Sequence, residues 1–131
     1  MTRFVVDCGV VLHIAAEELE VSEEHELLAP TLLRSQVLST LHNAVHAGAL
    51  TQDVALDRLA RVQSIPIRLL GDAVLRRRAW KVADELGWAD TYDAEYVAVT
   101  LLQADAFVTL DAELATRVEG LVRTATVDAL R

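Results

Sequence analysis

From Tyr96 to Leu102 the chain carries almost no polar side chain in any direction around a helix. A helix without a polar face is a buried helix, so the fold must cover this segment on every side. Asp90 or Thr91 caps it, and it runs to about Gln103. The remaining pattern supplies the covering layers. Phe4-Val5-Val6, Leu27-Leu28, Ile65 to Leu69, Phe107 to Leu110 and Leu121 to Val127 read as short strands of apolar and β-branched residues. Pro66 puts the third at an edge or at a strand start.

Helices are expected between the strands. One spans Val10 to Ala16. Another runs from Thr31 to Gly48, with Leu33, Val37, Leu41, Ala44 and Val45 at helical spacing. Thr51 caps a helix through Val62 that turns Val54, Leu59 and Val62 inward and pairs Asp57 with Arg61 outside. Asp72 caps a helix with Leu75, Ala79, Val82 and Leu86 inward, and Gly87 stops it. Ala112 to Val118 is closed by Gly120. The acidic run Glu17 to Glu26 reads as a solvated helix end plus loop. Short strands alternating with helices indicate an α/β layer with a mostly parallel sheet.

At 131 residues, 53% of them hydrophobic, residues 1–131 are expected to form one packed domain. The net charge of −8 argues against binding a long duplex by phosphate neutralisation. The single cysteine, Cys8, excludes an internal disulfide and a cysteine-built zinc site, and it fits a reducing cytoplasm. No basic region followed by an apolar stretch marks a signal peptide, and no apolar run approaches the ~20 residues of a membrane span.

Three aspartates stand where parallel sheets collect function. Asp7 ends the first strand, Asp93 opens the buried helix, and Asp111 ends the fourth strand. Carboxylates brought together from distant segments repel unless a cation sits between them, which points to Mg²⁺ or Mn²⁺. Each also has an ordinary reading as a helix cap or first-turn carboxylate. Thr109 precedes Asp111 by two, so both side chains leave one face of an extended segment. Glu95 lies about 200° around the helix from Asp93 and is not expected to share an ion with it.

The opening strand with Asp7, the segment Tyr92 to Val99, the segment Phe107 to Leu114 and the helix from Pro30 to Leu38 together resemble a PIN domain. They cover essentially the whole chain in order, and its size resembles the VapC group of bacterial toxin ribonucleases. The resemblance implies a PIN-like three-layer sandwich with a mostly parallel central sheet flanked by helices. It implies a Mg²⁺- or Mn²⁺-dependent ribonuclease with Asp7, Asp93 and Asp111 as catalytic ligands. It also implies an RNA substrate, a homodimer, and a small antitoxin that silences the enzyme. One position departs from the pattern: Gln36 stands where the family usually has an acidic residue. Its carbonyl oxygen can ligate weakly or hold a water, but the missing charge weakens metal affinity. That opens a second reading, a catalytically silent PIN-fold binding module.

Thr109 is a candidate to hold a carboxylate, a bound water or a phosphate, and Arg34 to hold a substrate phosphate. Arg76-Arg77-Arg78 with Trp80 and Lys81 either contacts RNA or forms a solvated face. His42 and His46 are spaced for zinc but lack the accompanying Glu of a metalloprotease, and with His13 they read as surface or dimer-face residues. Cys8 reads as a small buried residue. A phosphate-transfer receiver with Asp7 as nucleophile is weak, because the only lysine, Lys81, lies inside a helix.

Overall fold

Strand β1 (Thr2–Val6) lies at the centre of an all-parallel sheet in the order β3-β2-β1-β4-β5. Its neighbours are β2 (His25–Pro30) and β4 (Ala106–Val108); β3 (Ile67–Leu70) and the two-residue β5 (Thr124–Ala125) form the edges. These relations come from a computed structural model that describes all 131 residues. Val5, Val6, Leu28, Phe107 and Val108 are completely buried. Continuous apolar runs, without polar alternation, are what a parallel sheet covered on both faces demands.

The helices are α1 (Cys8–Glu17), α2 (Leu32–His46), α3 (Gln52–Ser64), α4 (Ala73–Leu86), α5 (Tyr92–Gln103) and α6 (Ala112–Val118), followed by a 3₁₀ turn at Val127–Leu130. Helices α1, α2 and α3 pack on one another, and α4 packs along α5, which lies over β1, β2 and β4. Right-handed crossovers explain the division. The chain moves outward from β1 through β2 to β3, then returns through α4 and α5 to β4, so the two helix groups fall on opposite faces. The expected three-layer sandwich, a parallel central sheet flanked by helices, is therefore the fold observed, with Tyr96 to Thr100 of α5 buried at its heart.

Several boundaries differ from the sequence reading. Strand β2 begins at His25, inside the acidic run, because Glu26 is paired with Arg3 at 3.3 Å and with Arg68 at 3.5 Å. Pro66 has no N–H to offer the ladder and precedes β3 instead of joining it. Strand β4 stops at Val108, which leaves Thr109 and Leu110 outside the ladder, and Leu110 is exposed. The last strand is only Thr124–Ala125, since Leu121 and Val122 complete the turn after α6. Val54 faces solvent because α3 packs through Ala55, Leu59 and Val62. Asp57 and Arg61 do pair, at 3.0 Å, and Arg61 also reaches Glu18 at 2.7 Å, which ties α3 to the end of α1. No helix is long and apolar enough to cross a membrane.

Candidate metal centre

Strand order reverses its direction of growth at β1, with β2 on one side and the later β4 on the other. Open α/β sheets bind ligands in the crevice outside the carboxyl ends of strands at such a point. Val6 pairs with Val108, and the next residues out are Asp7 and, one step past Val108, Thr109. The Thr109 hydroxyl donates to Asp7 Oδ2 at 2.5 Å, and the Asp111 amide donates to Thr109 Oγ1 at 3.1 Å. The remaining Asp7 oxygen accepts from the Val10 amide at 3.0 Å, which caps α1. Thr109 thus fixes Asp7 and ties it to the loop that carries Asp111. Asp111 caps α6 by accepting from the Leu114 amide at 3.1 Å.

Asp93 stands in the first turn of α5 and accepts no side-chain or loop hydrogen bond, whereas Asp90 Oδ1 accepts from the Tyr92 amide at 3.3 Å. Thr91 makes no side-chain cap. Burial pushes the Asp7 carboxyl above its usual range, and the nearby Asp111 charge adds to the rise. Asp93 is raised by lost hydration and then by the charges of Asp7, Asp90 and Asp111, while Arg117 opposes the shift. The three aspartates therefore share one electrostatic neighbourhood. Mutually repelling carboxylates are a donor set suited in charge and hardness to a divalent cation. The side chains do not form a ready-made cage, since no group of three His, Cys, Asp or Glu side chains converges on one ion position.

Gln36 borders this region from α2. Its Oε1 accepts a hydrogen bond from the hydroxyl of Tyr96, whose ring is buried in α5. The Tyr96 hydroxyl is pushed well above its usual range, first by burial and then by the charges around it, Cys8, Asp7, Asp93 and Glu95. It therefore stays a proton donor, and its proton engages the one Gln36 oxygen able to ligate. The Cys8 thiol is half-buried, 3.7 Å from Thr40 Oγ1, and burial and Asp7 raise it.

Arg34 lies elsewhere. It lines an apolar groove of ≈ 500 Å³ between α2, α3 and β3 with Leu33, Val37, Leu59 and Ile67. Arg34 is about 200° around α2 from Gln36, which explains the separation. Arg76, Arg77 and Trp80 occupy the solvent face of α4, while His42 and His46 are exposed on α2. The cation that acts on Asp93 is Arg117, from the last turn of α6. Arg117 and Tyr96 were not among the candidates that the sequence offered. Only Tyr96 carried a signal, because it is three residues beyond Asp93 and so on the same helical face.

No family model matches the sequence, and no curated protein matches it. Among solved structures, the chain is similar to PAE2754 from Pyrobaculum aerophilum, with 24% identity, a TM-score of 0.73, and coverage of 98% of this chain and 93% of that one. It is also similar to VapBC2 from Rickettsia felis bound to a DNA fragment from their promoter (6% identity, TM-score 0.68, 95% and 98% covered). A third similarity is to VapBC-1 from nontypeable Haemophilus influenzae (11% identity, TM-score 0.64, 96% and 98% covered). At these identities the likeness shows a shared VapC-like, PIN-type fold.

Proposed function

We propose that this protein is a divalent-metal-dependent endoribonuclease, the toxin of a type II toxin–antitoxin pair, acting in the cytoplasm. Asp7, Asp93 and Asp111 would hold Mg²⁺ or Mn²⁺. The observation that carries this reading is the approach of three carboxylates from three elements at the switch point of the sheet, where the Asp111 charge adds to the rise at Asp7 and the Asp7 and Asp111 charges add to the rise at Asp93. Such an ion, when bound, activates water and offsets the charge that builds on a phosphate during hydrolysis. The chain's own contribution is preorganisation. Thr109 and the Val10 amide fix both oxygens of Asp7, and the cap bond to Leu114 fixes one oxygen of Asp111. Asp93, without such bonds, is free to turn toward a bound ion. The Tyr96 hydroxyl holds Gln36 at the border of the site. The VapBC neighbours support a small antitoxin as partner, and the fold is compatible with the homodimer that the VapC resemblance implies.

The test is cleavage of structured RNAs with Mg²⁺ or Mn²⁺, with Asp7→Asn and Asp93→Asn as controls. Cutting by the wild-type chain and its loss in both controls is expected. Cutting that persists in both controls overturns the site.

Gln36 favours a second reading, because its ligating oxygen already accepts from Tyr96 and it brings no charge. On that reading the chain is a silent PIN-fold module that binds RNA or a protein without cutting. Absence of Mn²⁺ binding at millimolar concentration in calorimetry selects this reading over the first.

A further inference from the structure

Beside the carboxylates lies a small depression of ≈ 200 Å³ lined by Trp88, Ala89, Asp90, Asp93 and Arg117. Two of its walls are acidic, yet Arg117 forms no ion pair with either of them. The guanidinium carbon instead sits 5.3 Å from the centre of the Trp88 ring. A guanidinium over an indole face is held by cation–π attraction, which fixes its plane and leaves its N–H fork free. Trp88 is itself half-buried and packed against the core. None of the Arg117 donors is used by a protein acceptor, although its charge is felt at Asp93.

The geometry points to Arg117, seated on Trp88, as a binding residue for a backbone phosphate of the RNA, adjacent to the phosphate that meets the aspartates. This rests on the nuclease reading above and adds a substrate contact to it. A planar fork matches two phosphate oxygens at once, which a lysine ammonium cannot do. In a chain of net charge −8, an anionic polymer approaching an acidic pocket needs a local cation to set its register. Arg117 is placed for that role, on the rim of the pocket and beside Asp93. Its identity as arginine and its indole seat are then both functional features.

A neutralising role and a phosphate-binding role give different results on replacement. If Arg117 only offsets Asp90 and Asp93, Arg117→Ala alters metal affinity and leaves RNA binding untouched. If it holds phosphate, KM for RNA rises roughly tenfold and kcat changes less, whatever the effect on Mn²⁺ affinity. Arg117→Lys should recover only part of the loss, and Trp88→Leu should resemble a milder Arg117→Ala. The second readout is equilibrium binding of a short fluorescein-labelled single-stranded RNA to the full chain carrying Asp7→Asn, which does not cut. Adding Arg117→Ala there should lower the slope of log affinity against log salt by about 0.7, the signature of one lost phosphate contact on a single strand. An unchanged KM together with an unchanged salt slope overturns the assignment, even if the wild type cuts RNA and the nuclease reading stands. Conversely, RNA binding that depends on Arg117 in a chain that never cuts supports the phosphate site and sinks the nuclease.

Discussion

Asp7 serves the fold and the site with one carboxylate. As a cap it satisfies the Val10 amide at the start of α1, and as an anion it is raised by burial and by Asp111. Asparagine caps nearly as well as aspartate but carries no charge. Asp7→Asn is therefore expected to abolish cleavage and to stabilise the metal-free chain, by roughly 1 kcal/mol or a few degrees in Tm in chelator at neutral pH. The pH dependence has a definite sign. A carboxyl whose folded pKa is raised binds its proton more tightly folded than unfolded. The metal-free wild type should lose stability as pH rises from the ordinary aspartate value through the raised folded values of Asp7 and Asp93. Thermal melts in chelator should show the advantage of Asp7→Asn shrinking on acidification; an advantage independent of pH contradicts the assigned shift. Gln36→Glu tests the neighbouring departure. It keeps an acceptor for the Tyr96 hydroxyl and adds a charge, so Mn²⁺ should bind about tenfold tighter by calorimetry. Unchanged or weaker binding puts Gln36 outside the site.

At the scale of elements, the turn from β3 into α4 is set by one absent side chain. A Cβ on Gly71 would stand 2.8 Å from Thr31 Oγ1, at the start of α2, where the Thr31 amide already donates to Leu70 O at 3.0 Å. Gly71→Ala is expected to cost roughly 1–3 kcal/mol by overpacking, read in urea unfolding. Thr31 makes no side-chain cap bond, so adding Thr31→Ala should restore most of the loss. No rescue would place the cost in the backbone instead. The sequence disclosed the buried helix and the central strands well, because full burial leaves an unbroken apolar run, as in Phe4 to Val6 and Tyr96 to Val99. Peripheral elements were less legible. His25 and Glu26 enter β2 only because Arg3 and Arg68, from flanking strands, neutralise the glutamate. Asp7 follows β1 directly, as expected, while Thr109 and Asp111 lie in the loop after β4, which stops at Val108; nothing local in the chain links Arg117 to Trp88. That contact exists only once α6 folds beside the start of α5.

For the whole molecule, the topology decides where the chemistry can be. Placing β1 between β2 and β4 brings Asp7 beside Thr109 from about a hundred residues away, and α5 delivers Asp93 to the same edge. Acidic repulsion thus falls at the carboxyl end of the central strands, where the proposed cation would offset it. A bound ion should stabilise the fold by mass action, by about 2.7 kcal/mol at a hundredfold excess over its Kd. Mn²⁺ should raise Tm in the wild type and do so much less in Asp93→Asn, measured by calorimetric melting; an equal rise in both would indicate binding elsewhere. Whether Asp7, Asp93 and Asp111 share one ion is decided by isothermal titration of Mn²⁺ into the wild type and into Asp7→Asn, Asp93→Asn and Asp111→Asn. A shared ion gives saturable binding in the wild type, weakened at least about tenfold in each variant. Undiminished affinity in all three variants, or no binding by the wild type at millimolar Mn²⁺, contradicts it.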